Sequence, residues 1–109
     1  MDSGFPFSTI KVLGHKYAVA LMNSERAEES GCVGLLDRNR LTIFVAEHLA
    51  PSKRAETLFH EVVHAATDAT GLMDAPGRDD EDVVNPLSRV LFAILTDNPL
   101  LTTYLLSFA

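Results

Sequence analysis

Apolar and polar positions in the first third of the chain alternate with a period of two. Ile10 and Val12, then Tyr17, Val19 and Leu21, stand at every second position on either side of Leu13-Gly14-His15-Lys16. Residues 7–21 are therefore predicted to form two strands around a turn. The stretch from Met22 to Ser30 is polar, with Asn23, Ser24, Glu25, Arg26, Glu28 and Glu29, and reads as a solvated connection or a short acidic turn. Two more apolar runs, Cys32 to Leu36 and Leu41 to Ala46, flank Asp37-Arg38-Asn39-Arg40, a good turn sequence, and predict a second hairpin. Leu41-Thr42-Ile43-Phe44-Val45 is β-branched and aromatic, the strongest strand signal in the chain.

The period then changes to that of a helix. Pro51-Ser52 opens a segment reaching about Gly71, with Ser52 as expected N-cap and Glu56 nearby. Ala55, Leu58, Phe59, Val62, Val63 and Ala66 recur at helical spacing and form one apolar face, and Gly71 is a natural stop. Leu72 to Asp79, containing Pro76-Gly77, reads as a loop. Glu81 to Leu95 predicts a second helix with Val84, Leu87, Leu91 and Leu95 on one stripe. Pro86 leaves two geometries for it: a kinked helix, or one that Asn85 caps and Pro86 begins, which would put Glu81 in a loop. Asn98 and Pro99 are expected to cap and start a short apolar third helix through Leu106. The sum is a single α+β domain over residues 1–109: a small antiparallel sheet of three or four strands, then two or three helices.

Composition narrows the classes. At 109 residues and 47% hydrophobic content the chain can bury one core, and disorder is not expected. A net charge of -6 argues against binding a nucleic-acid backbone. No run approaches the roughly 20 apolar residues that span a bilayer, and the start Met1-Asp2-Ser3-Gly4-Phe5 does not read as a signal peptide. The single cysteine, Cys32, cannot form an internal disulfide, so the expected compartment is a reducing cytoplasm.

Within the first helical segment lies His60-Glu61-Val62-Val63-His64, an H-E-x-x-H pattern. Positions i and i+4 share a helix face, so both imidazoles can bind one metal ion, expected to be zinc. Glu61, about 100° around the helix from His60, stays near the ion without binding it and is free to serve as general base toward water. The bland alternative, a solvent-facing histidine pair beside a surface acid, explains each residue singly but not the joint spacing.

A catalytic zinc site needs a third protein ligand and an open fourth position. The candidates are His15, His48, Asp68, Asp74 and the acidic run Asp79-Asp80-Glu81-Asp82. His15 and His48 fall near turns or strand ends, where an exposed role is expected. Asp68, four residues after His64, suits orienting that ring, or is a solvated residue of the last turns. The acidic run also complements the positive end of a helix dipole. Glu81, long and one turn before Asn85 and Ser88, is the preferred ligand, with Asp80 in reserve.

His60-Glu61-Val62-Val63-His64 followed by Glu81-Asp82-Val83-Val84-Asn85 resembles the ImmA/IrrE-like metallopeptidases, compact H-E-x-x-H domains of phages and mobile elements. The resemblance covers most of the chain and implies a minimal zincin-like fold. It implies zinc held by His60, His64 and Glu81, with Glu61 as base, a peptide or protein substrate, and a host-cytoplasmic setting if phage-encoded. A counterpart of the larger members' DNA-binding or sensor region is not expected within these 109 residues.

Two functions are carried forward. One is a zinc metallopeptidase, with the strand Leu41–Ala46 as the edge to which an extended peptide adds and Tyr17 or Tyr104 considered as oxyanion donors. The other is a non-catalytic zinc-containing interaction module that binds a host factor. Hydrolysis of a non-peptide bond is a weaker third. The apolar tail, Leu100, Leu101, Tyr104, Leu105, Leu106 and Phe108, reads as core, and its density also suggests a homodimer contact.

Overall fold

The period-two pattern of the N-terminal third becomes part of a sheet that packs against helices. In a computed structural model the described residues are 4–71 and 80–108, without the side chains of Asp80 and Glu81. Strands β1 (Thr9–Val12), β2 (His15–Met22), β3 (Gly34–Asp37) and β4 (Thr42–Ala46) form one sheet in the order β1-β2-β4-β3. Helices α1 (Ser24–Ser30), α2 (Pro51–Thr70), α3 (Asp80–Asp97) and α4 (Pro99–Leu106) complete the α+β fold.

The sheet is mixed rather than antiparallel throughout. Both hairpins form as expected, β1 with β2 and β3 with β4, but the pairing that joins them, β2 with β4, is parallel. A parallel pair requires a connection that returns the chain to the starting end of the sheet. The polar segment after Met22 is helix α1, not a bare connection; it links β2 to β3, and β3 carries the chain back so that β4 runs parallel to β2. Asn23 caps α1 by accepting from the Arg26 amide at 2.8 Å, and Gly31 ends it in the left-handed region. The parallel pairing also leaves β3, not the Leu41–Ala46 segment, at the open edge.

Each face of the sheet has its own cover. Ile10, Val12, Tyr17, Val19, Leu36, Ile43 and Val45 pack into the main core with Leu58, Val62, Ala65 and Ala66 of α2 and Val90 and Ile94 of α3. On the opposite face Met22 and Ala46 pack with Ala27 of α1, and the Arg26 guanidinium lies 4.3 Å over the Phe44 ring. The β1–β2 turn is tighter than the four residues expected. Leu13 and Gly14 form a two-residue loop, both at positive φ (44° and 89°).

The helix ends also depart from expectation in detail. The N-cap of α2 is Ala50, with Pro51 in the first turn, so Ser52 is inside the helix and caps nothing. Helix α3 begins at Asp80 and runs through Pro86, so Asn85 is not its cap and Glu81 lies on helix rather than in a loop. Its buried side is Val90 and Ile94 with Leu87 and Leu91 packed alongside, whereas Val84 is 49% exposed. The expected loop Leu72–Asp79 lies outside the described residues. Of the apolar tail, Leu101 is buried and Tyr104 and Leu105 pack against the core, while Leu100, Leu106 and Phe108 are exposed. Among the described residues no helix is long and apolar enough to cross a membrane.

Asn98, expected only as a cap, instead joins the two ends of the fold. Its side-chain oxygen accepts from the Lys11 amide of β1 at 2.8 Å, and its amide donates to the carbonyls of Lys11 at 2.9 Å and Ile94 at 2.7 Å. Asn98→Ala removes these bonds from a buried position and is expected to lower stability by about 2–3 kcal/mol, measured by urea unfolding.

Candidate metal centre and adjoining groove

Helix α2 carries the site because of how its surface is divided. Leu58, Val62, Ala65 and Ala66 are buried against the sheet, and that seating turns His60 and His64 outward. Their Nε2 atoms are 3.1 Å apart, with ring centroids separated by 4.8 Å and planes inclined at 75°. A tetrahedral zinc with Zn–N distances near 2.0–2.1 Å separates two such donors by about 3.3 Å. The pair therefore already has the bite of a two-histidine chelate, and the donor set fits a divalent ion that accepts imidazole.

Glu61 lies between exposed and buried surfaces. It is 7% exposed, yet it lines two adjoining hollows of the groove between α2 and β3. One, of about 280 Å³, is bounded by Gly34, Leu36, Arg38, His60, Glu61 and His64. The other, of about 580 Å³, shares Gly34, His60 and Glu61 and continues past Thr57 and Phe59 toward Lys53.

The groove is narrowest at Gly34. A Cβ built there would fall 2.7 Å from Thr57 Cγ2 and 2.9 Å from Glu61 Oε2, closer than side chains tolerate. Glycine thus lets the edge strand approach the motif helix, a close backbone approach of the kind an isolated glycine in a strand pattern signals.

Register defines what the edge offers. The Ala46 amide donates to the Val33 carbonyl at 2.8 Å, making Val33 opposite Ala46 a hydrogen-bonded pair. Alternation along an antiparallel ladder then directs the backbone groups of Leu35 and Asp37 toward β4 and those of Gly34 and Leu36 toward the open edge. Both outward residues border the hollow that holds the histidines.

The other proposed site residues are distributed as follows. Glu81 and Asp80 lie in the first turn of α3, which packs against α2, but their side chains lie outside the described residues, as do Asp74 and Asp79. Asp68 does not turn toward His64; its carboxylate pairs with Arg38 Nε at 2.5 Å. His15 and His48 are exposed, and among the described residues no group of three potential ligands assembles. Tyr17 lines a separate hollow with Val12, Leu13, His15 and Asp68. Burial, and then the Asp68 carboxylate, push its pKa up, against the pull of Arg38. Tyr104 stands edge-on to the rings of Phe5, Phe7 and Phe108.

Arg38 is the residue sequence reading overlooked, having counted only as part of a turn. Its hydrogen bond with Asp68, and then the Asp68 charge, hold its pKa above the usual arginine value, with Glu61 adding a smaller effect in the same direction. No local signal marks such a residue, since its partner lies thirty positions away on α2.

No family model, curated protein or solved structure matches the chain.

Gly34→Ala is expected to cost about 1–3 kcal/mol by overpacking, read by urea unfolding. Adding Thr57→Ala, which removes the nearer obstacle, should recover part of that loss.

Proposed function

We propose that this protein is a zinc-dependent metallopeptidase, of the kind the ImmA/IrrE-like resemblance implies. The observation that carries the reading is the 3.1 Å approach of His60 and His64 Nε2 beside a nearly buried Glu61 carboxylate, on a groove walled by an open strand edge. His60 and His64 would hold the ion, with Glu81 the proposed third ligand. Its place on a helix packed against α2 is consistent with that role. Bound zinc would supply Lewis-acid polarisation of the scissile carbonyl and a more acidic water.

The chain's own residues supply the rest. Gly34 and Leu36 present backbone donors and acceptors along the edge, so an extended peptide can add to β3 as a further strand. Such a peptide runs beside His60 and Glu61. Glu61 takes the proton of the attacking water and returns it to the leaving amine nitrogen, so the carboxylate ends the cycle unchanged. Its position under the edge strand limits its motion and keeps competing water away from one side.

Wild-type protein is expected to bind about one zinc per chain, measured by elemental analysis, and His60→Ala or His64→Ala to lose it. Glu61→Gln should retain the metal while peptide turnover falls about 10²–10⁴-fold. Wild type that takes up no metal would sink the proposal. A Glu61→Gln protein that keeps its biological effect would point to the zinc-containing interaction module instead.

A further inference from the structure

Arg38 follows directly on the edge strand and borders the same hollow as His60, Glu61 and His64. It is held from behind: Asp68 of α2 accepts from Nε at 2.5 Å and from Nη2 at 3.4 Å. Among the described residues these are its hydrogen bonds. A guanidinium has five N–H donors in a rigid fork, so a carboxylate that occupies the Nε side leaves Nη1 and one hydrogen of Nη2 to donate elsewhere. Asp68 thus fixes the orientation of a cation without consuming its capacity. Among the described residues Arg38 is also the only lysine or arginine bordering this hollow, in a chain of net charge -6.

Strand geometry sets what it meets. Arg38 opens the β3–β4 turn, two residues past Leu36, the last edge residue with outward backbone groups, so it stands at the turn end of that edge and borders the hollow. A peptide added to β3 meets the guanidinium where it passes Leu36 toward the turn. We propose that Arg38 is a specificity-determining residue that binds a substrate carboxylate there, an Asp or Glu side chain or the C-terminal carboxylate of the peptide. Planar carboxylate is the group that the remaining donors match best. The substrate class is therefore an acidic peptide or a peptide cut near its C-terminus. This rests on the peptidase reading above.

The test compares zinc-loaded wild type, Arg38→Gln and Arg38→Lys on matched peptides that differ by Glu against Gln at scanned positions, and by a free against an amidated C-terminus. Wild type should prefer the carboxylate member of one pair by about tenfold in kcat/KM, expressed in KM. Which pair shows the preference identifies the source of the carboxylate. Arg38→Gln should bring the two members together, and Arg38→Lys should keep only part of the preference, because an ammonium lacks the fork. Equal cleavage of both members by wild type, or an unchanged preference in Arg38→Gln, overturns the assignment. Binding of the same labelled peptides to zinc-loaded Glu61→Gln, read by fluorescence anisotropy, separates the two proposals. Carboxylate-selective binding by a protein whose wild type cleaves nothing refutes the peptidase and leaves Arg38 standing. Unselective binding, or none, overturns the role of Arg38.

Discussion

The seating of α2 on the sheet is the constraint from which the site follows. Leu58 and Val62 are fully buried, and burial of side chains of this size is worth roughly 1.5–3 kcal/mol each. Rotating the helix to bury the histidines would expose those residues and desolvate two imidazoles. The helix therefore has one favourable rotation, and in it His60 and His64 emerge along the groove while Glu61 lies under its rim. The exposed face that carries the two histidines is a by-product of where the apolar stripe must go.

The sheet's mixed topology decides which strand meets that face. Had both hairpins joined antiparallel, the strand beside α2 need not have been an edge. The parallel β2–β4 pairing routes the chain through α1 and places β3 outermost. Gly34 then lets β3 close on α2, with Thr57 Cγ2 and Glu61 Oε2 within 3 Å of where a larger residue's Cβ would stand. One missing side chain thus couples strand edge and motif helix into a single groove.

Charge is arranged with similar economy. Asp68, four residues beyond His64, engages Arg38 from the β3–β4 turn and so ties the hairpin to the helix. A pair this exposed contributes little to stability. Its effect is on position: it sets a guanidinium at the border of the hollow that Glu61 also lines.

What the sequence by itself determined is the local content. Period-two alternation marked both hairpins, helical spacing marked the apolar stripe of α2, and Gly71, Asn98 and Pro99 marked helix ends, because these signals depend on neighbours within a few positions. The H-E-x-x-H spacing put two imidazoles on one face for the same reason, and the structure gives them a chelating separation. Tertiary structure decided the rest. Whether two hairpins join parallel or antiparallel depends on a connection that no short window contains, so the open edge passed from Leu41–Ala46 to β3. Likewise Asp68 was readable as a partner for His64, being one turn away, but a fully charged arginine brought in from the turn competes better for a carboxylate than an imidazole does. Pro86 looked like a helix boundary because it lacks an N–H, yet α3 runs through it with Leu87, Val90, Leu91 and Ile94 packed on the core, a tertiary gain that outweighs one lost backbone bond.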